Sequence, residues 1–438
     1  MQQTKTRLLD YRSALALVIA NTIGTGVFTT SGFALADLGS PLWVLLAWMV
    51  GGIYALSGVR IYSDMAISFP HSGGEYAFLR NSLHPVFGTI AGWISLVAGF
   101  TTPIAAAALG AELYLNRVLM LHFEWPWIAS LIIILLGVMH ALAPQQGVRF
   151  QNNAVLLKVV VIVVFVGLGL VSISNNHPIE AFKAIPEQSF SWIKFAGSLV
   201  WITFAYSGWN AAVYVTGEVV GGGQTVTRAL LTGTLIVIVL YLGVSAVILY
   251  SAPISELKGV ADSGAIAAKA LGGEYTERAL SALIALALIT SVSSMLMSGP
   301  RVYMQMANDG VFPKVLGAFQ NGHPRLAIFL QTVLCLLLIW LAGIRELLEF
   351  TGVSLSFSAG LVVIGWLVLV GRRIIKATLI SGLASLVFMT ATLGIMLGSI
   401  AMRQESLFAL IALLAWGAFA HFFSLSKIYT ILKNSGGL

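Results

Sequence analysis

The stretch NTIGTGVF, Asn21–Phe28, places two glycines around a threonine inside an apolar run that covers 13–36. Glycine weakens a helix by about 1 kcal/mol relative to alanine. In hydrocarbon no water takes up an exposed N–H or C=O, so a membrane helix opens only where protein or a cavity surrounds its backbone. The glycines therefore either open the helix at a cavity or pack it closely against a neighbour, as small residues do between membrane helices. FAYSGWN, Phe204–Asn210, interrupts a second apolar run in the same way.

The rest of the chain supplies the setting. Of its 438 residues, 58% are hydrophobic and 9% charged, against about 25% charged in an ordinary soluble domain. With a mean hydropathy of +0.92 it is an integral membrane protein. Runs of about 20 apolar residues give twelve candidate spans. Numbered 1–12, they are 13–36, 42–66, 84–114, 125–143, 153–173, 191–219, 228–250, 277–303, 325–342, 349–371, 375–398 and 405–425. Of the 24 lysines and arginines, fifteen fall on the side of the two termini, eight on the other, and Lys158 lies inside span 5. The positive-inside rule then puts both termini in the cytoplasm. This bias accounts for the net charge of +7 without nucleic acid. The first run is too long, is glycine-interrupted and lacks a small-residue cleavage site, so it is expected to stay as a signal-anchor. The single cysteine, Cys335, lies mid-span and reads as apolar filler.

The two interruptions lie five spans apart, and an odd number of helices between repeats inverts their topology. Paired breaks at matching positions point to an inverted-repeat transporter with its site at the midplane. SGGEY (Ser72–Tyr76) and LGGEY (Leu271–Tyr275) fall in the equivalent 2–3 and 7–8 connections. The long 251–276 connection reads as partly helical. At a break, N–H groups at the start of a half-helix suit a carboxylate, and carbonyls at the end of the facing one suit an ammonium. A site with both recognises the common part of an α-amino acid.

Four elements carry a resemblance: Gly24-Thr25-Gly26 in span 1, Phe204–Trp209 in span 6, Pro70–Tyr76 after span 2, and Arg301–Pro313 after span 8. In this order and spacing they resemble the amino acid–polyamine–organocation (APC) superfamily, most closely the L-type amino acid transporter (LAT) family in its prokaryotic form. The resemblance implies an all-α membrane fold of twelve transmembrane helices. This is the LeuT-like 5+5 inverted repeat, with spans 1–5 (13–173) and 6–10 (191–371) as repeats, spans 11–12 (375–425) outside them, and spans 1 and 6 broken. It is one domain, 1–438, working by alternating access. It implies a carboxylate site at the N–H groups of Thr25, Gly26 and Val27, beside Gly24. The amine would meet carbonyls of Ile23 and of Phe204, Ala205 and Tyr206, next to Ser207 and Gly208, with Phe204 as an outer gate. A lysine at the position of Lys158 stands in relatives where sodium sits in sodium-coupled members; it would reach the span 1 break and a hydroxyl of span 8, Ser291 or Ser294. Ser293 lies between them.

A lysine in an apolar helix costs on the order of 3 kcal/mol at mid-membrane, unless it snorkels to the interface. A fixed ammonium there implies no sodium requirement, and it permits either exchange or proton coupling. The interiors of spans 1, 3, 8 and 10 hold no acid, and the span 3 stretch around Pro103 is rich in small residues. A neutral L-amino acid is favoured, with a cationic amino acid or polyamine antiporter as the alternative and a non-transporting amino acid sensor as the alternative of another class. Asp64, Glu75, Arg149 and Arg228 read as charges near the cytoplasmic face, either latching a state or simply solvated. His323–Ile328 reads as a helix start. No metal spacing, nucleotide loop or catalytic dyad is present, so no enzyme activity, metal or cofactor is expected. The 3–4 connection lacks the cysteine by which mammalian relatives hold a glycoprotein, so no disulfide-linked heavy subunit is expected. The chain is expected to be a multi-pass protein of the plasma (inner) membrane.

Overall fold

The computed structural model describes residues 9–121, 124–142, 144–176, 190–317 and 324–434, with side chains in the helix Pro144–Asn176 only at 156 and 158–173 and in the helix Gln404–Asn434 only up to 424. The Arg149 side chain, His323 and most of the 175–190 connection lie outside the described residues. Among those described, the only β pairing is the single bridge Leu9–Val219; the rest is helix and turn. Among the described residues, eight helices are long and apolar enough to cross a membrane, and they correspond to spans 1, 2, 3, 7, 8, 10, 11 and 12. Spans 4 and 9 are shorter apolar helices, Trp127–Leu142 and Arg325–Leu341, and span 5 lies within the helix Pro144–Asn176.

Span 1 is two helices, Tyr11–Thr22 and Gly26–Leu38. The first begins where Asp10 accepts the Ser13 N–H at 2.8 Å, an N-cap. It ends at Ile23, whose backbone turns extended. Span 6 is helical over Trp192–Tyr206 and resumes as a 3-10 segment, Ala211–Glu218. Its break is therefore 207–210, at the C-terminal end of the stretch expected from sequence. Gly208 supplies φ +97°, and a Cβ there would lie 2.5 Å from the Asn21 carbonyl oxygen. Only glycine allows both that dihedral and that approach of the two breaks.

Span 3 carries a π-helical turn, Ser95–Thr101, between Pro85–Ile94 and Thr102–Leu119. Pro103 has no N–H to give the preceding turn. The widened turn lets Thr101 Oγ1 donate to the Leu96 carbonyl at 2.6 Å and Thr102 Oγ1 to that of Val97 at 2.8 Å. Such turns occur mostly at functional sites. Span 8 belongs to a helix, Ser263–Ser298, that departs from helical geometry at Gly272 and Gly273. Its first part is the helix expected in the 251–276 connection. Span 8 packs along spans 3 and 5, span 7 along span 2, and the second half of span 1 along span 6.

Buried charge ties several helix ends. Arg403, after span 11, reaches Asp37 at the end of span 1 and Glu349 at the start of span 10, both at 2.5 Å, and lies 4.2 Å over the Trp201 ring. Its side chain is only 2% exposed. Breaking a buried pair leaves an uncompensated charge and costs about 3–5 kcal/mol. Asp37 keeps the Trp201 N–H and Glu349 keeps Arg345, so Arg403→Gln is expected at the lower end, about 3 kcal/mol. A thermal midpoint in detergent equal to wild type would contradict this.

Candidate substrate site at two broken helices

One cavity lies where the breaks of spans 1 and 6 face each other, walled by the π-turn of span 3 and by span 10. Gly24, Thr25, Gly26, Phe204, Ala205, Ser207 and Gly208 line it, so most of the expected substrate residues meet there. Ile23, Val27 and Tyr206 are buried but are not in its lining. Tyr206 instead donates its hydroxyl to the Trp48 carbonyl at 3.2 Å. Gly99, Phe100, Pro103, Leu355, Ser356 and Ala359 close the far wall.

The first half-helix of span 1 leaves its last carbonyls without intrahelical donors, and side chains supply them. Tyr241 donates to the Thr22 carbonyl at 2.5 Å and accepts from the Gly24 N–H. Lys158, 1% exposed, donates to the Ala20 carbonyl at 3.3 Å, to that of Ile23 at 3.0 Å and to Ser291 Oγ at 2.7 Å. Ser291 Oγ also donates to the Ile23 carbonyl at 2.8 Å. The Ile23 carbonyl thus already accepts two bonds, which fills its lone pairs. The carbonyl of Phe204 accepts the Ser207 N–H at 2.9 Å. Ser294 is buried on the same helix as Ser291, and its carbonyl accepts from Ser298. Ser293 turns the other way and bonds His140 of span 4 at 2.8 Å.

The start of the second half-helix is different. Its first helical bond runs from Phe28 N–H to the Thr25 carbonyl, so the N–H groups of Gly26 and Val27 precede it. Thr25 occupies the N-cap position without a side-chain cap bond. Its Oγ1 is buried with no partner among the described residues, an unusual state for a buried hydroxyl. Together these groups form the positive, donor-rich end of a helix, which Thr25 and Gly26 bring to the cavity wall.

Sequence reasoning missed Glu75. Read as a charge near the membrane face, it is 2% exposed and lines the cavity. Tyr62 donates to its Oε1 at 2.6 Å, the Asn210 amide to the same oxygen at 3.1 Å, and the Ser358 hydroxyl contacts Oε2. The signal lay in its neighbours: the glycines before it take positive φ, 129° at Gly73 and 55° at Gly74, and turn the connection inward. The outer counterpart, Glu274, is exposed and faces Arg278 at 3.8 Å. Asp64 pairs with Arg60 at 2.6 Å and Glu218 with Arg301 at 3.2 Å.

The pattern of the amino acid permease family matches residues 9–424. The chain belongs to this family. It is thus a multi-pass membrane permease of the APC superfamily, LAT type, and not an enzyme. The permease is 27% identical to the serine/threonine exchanger SteT of Bacillus subtilis (strain 168), over 77% of each chain. It is 24% identical to the large neutral amino acids transporter small subunit 2 of Homo sapiens, over 82% of this chain and 68% of the relative. It is also 24% identical to the Asc-type amino acid transporter 1 of Homo sapiens, over 86% and 75%. The residues matched by the family pattern take in both breaks and Lys158.

Proposed function

We propose that this permease is a secondary active transporter of neutral L-amino acids, sodium-independent, working by exchange or by proton coupling. The observation that carries the reading is the donor-rich helix start whose Thr25 and Gly26 line one cavity with the break of span 6. The substrate carboxylate takes the Gly26 and Val27 N–H groups and the Thr25 hydroxyl, which has no other partner among the described residues. The ammonium takes carbonyls of the broken turn around Ala205, since that of Ile23 is occupied by Lys158 and Ser291. Phe204 closes over the site. Lys158 and Ser291, with Ser294 beside them, hold the span 1 break to span 8 in place of a metal ion. The relatives' names, which speak of serine and threonine, large neutral and Asc-type amino acids, support the substrate class.

On this reading the twelve candidate spans cross the plasma membrane as two inverted repeats of five with two helices outside, and both termini are cytoplasmic. The permease works without a disulfide-linked heavy subunit. A second reading, a cationic substrate, finds support in Glu75, a carboxyl in the cavity wall. Its oxygens, however, already have three uncharged partners, which leaves little for a second cation.

Proteoliposomes in sodium-free buffer test this with labelled leucine, alanine, serine and arginine. Uptake of a neutral amino acid that needs internal unlabelled amino acid means exchange. Uptake into empty vesicles driven by an inward proton gradient means symport. Arginine moving alone would replace the first reading with the second.

A further inference from the structure

Glu75 sits on the short helix Gly74–Ser82, outside the spans, yet its carboxyl is enclosed by span 2 through Tyr62, by the span 6 break through Asn210 and by span 10 through Ser358. Its two oxygens have unlike partners. Oε1 meets an amide and a phenol that donate to it. Oε2 meets only the Ser358 hydroxyl, which donates or accepts equally well. All three groups can donate to a carboxylate; a carboxylic acid with its proton on Oε2 fits the same contacts, accepting twice at Oε1 and donating to Ser358, whose hydroxyl then turns its own proton away.

No cation offsets a charge there among the described residues. The groups that feel Glu75 electrostatically are tyrosines, Tyr54 and Tyr62 of span 2 and Tyr214 beyond the span 6 break. On its own helix, Arg80 is held by Asp309 and by the Tyr76 hydroxyl. Arg60 of span 2 is held by Asp64. Span 3 offers Gly99 and Phe100 to the same cavity, and span 10 offers Leu355, Ser356 and Ala359. Burial pushes the Glu75 pKa up, against the pull of its three hydrogen bonds.

We propose that Glu75 is a proton-binding site of the transport cycle, separate from Lys158. Its carboxyl is neutral while spans 2, 6 and 10 are drawn together around it, and it releases its proton to water when they part. The inference rests on the transport reading above. The sign follows from linkage. A carboxyl with a higher pKa when enclosed than when hydrated takes up a proton on enclosure. Low pH therefore favours the enclosed arrangement, and that preference is lost as pH rises through the enclosed-state pKa. Each exchange cycle must enclose the site, so exchange slows at high pH. Glu75→Gln reproduces the neutral acid, with its amide donating to Ser358, and should remove this dependence.

The experiment has two arms. In proteoliposomes with equal pH on both sides, labelled L-alanine exchanges against internal L-alanine. Wild-type exchange is expected to fall about fivefold from about pH 6 to about pH 8.5, and that of E75Q less than about twofold. The same fall in E75Q overturns the proposal, because the dependence then belongs to another group. In the second arm, infrared difference spectra of the purified protein are recorded against pH without any transport. A carboxylic-acid C=O band that titrates in wild type and is missing in E75Q supports the proton site; identical spectra overturn it. The titrating band without any exchange by wild type would instead sink the transport reading, and with it the role in a cycle. E75D retains the carboxyl on a shorter arm, drawn back from Ser358. Its band is expected to titrate at a shifted pH, and titration identical to wild type would also count against the proposal.

Discussion

Lys158→Ala is expected to lower turnover about a hundredfold while changing the KM for exchanged amino acid less than about threefold. Among the described residues, Lys158 is the one group that joins span 5 to the Ala20 and Ile23 carbonyls and to Ser291 of span 8. Without it the end of the first half-helix keeps only Tyr241 at Thr22 and Ser291 at Ile23, and the Ala20 carbonyl loses that donor. Leaving buried acceptors unpaired costs about 1–3 kcal/mol each. On the proposed reading the loss falls on the alignment of span 1 with span 8, which the proposed cycle changes, more than on the Thr25–Val27 end proposed to meet the carboxylate. Exchange kinetics in proteoliposomes read the two effects separately. Unchanged turnover would reduce Lys158 to a helix-packing residue.

The glycines of the span 1 break are expected to separate into a packing position and a site position. A Cβ at Gly26 would stand 2.4 Å from Ala205 Cα and 2.6 Å from its Cβ, where backbone must give way. Gly26→Ala should therefore destabilise the fold by about 3 kcal/mol, and Gly26→Leu should yield no folded protein. A Cβ at Gly24 meets nothing closer than Ser291 Oγ at 3.8 Å, and Gly24 lines the cavity. Gly24→Ala should keep the wild-type thermal midpoint but weaken substrate affinity about tenfold, by setting a methyl where substrate backbone must lie. Thermal unfolding and substrate titration of the two purified variants decide this. Equal loss of stability in both would mean that the break is a packing device alone.

Much of this was legible in the sequence because glycine in a hydrocarbon-spanning run has few uses. Gly24 and Gly26 marked where span 1 could break, and the second interruption in span 6 favoured a break over close packing. The break in span 6 was legible only to within a few residues, since FAYSGWN holds its one glycine late and Phe204–Tyr206 are good enough helix formers to stay helical. Other features depend on contacts between segments distant in sequence. The saturation of the Ile23 carbonyl needs Lys158 and Ser291, 135 and 268 residues away. Glu75 looked like an interfacial charge because its neighbours in sequence are polar. Its real neighbours are Tyr62, Asn210 and Ser358, brought in by three different spans. The π-turn showed itself only as Pro103 among small residues. The Arg403 network joins three helix ends, and Trp201 within span 6, that no local pattern connects.

The most direct test of the central claim, that the backbone at the two breaks holds a zwitterion, uses altered ligands rather than altered protein. Thermal unfolding of the purified permease would be followed with an exchanged amino acid, with its methyl ester, which lacks the carboxylate, and with its N-acetyl form, which lacks the ammonium. The account predicts that the amino acid alone raises the midpoint, and that Gly24→Ala diminishes the rise. Equal protection by the ester and the N-acetyl form would contradict it.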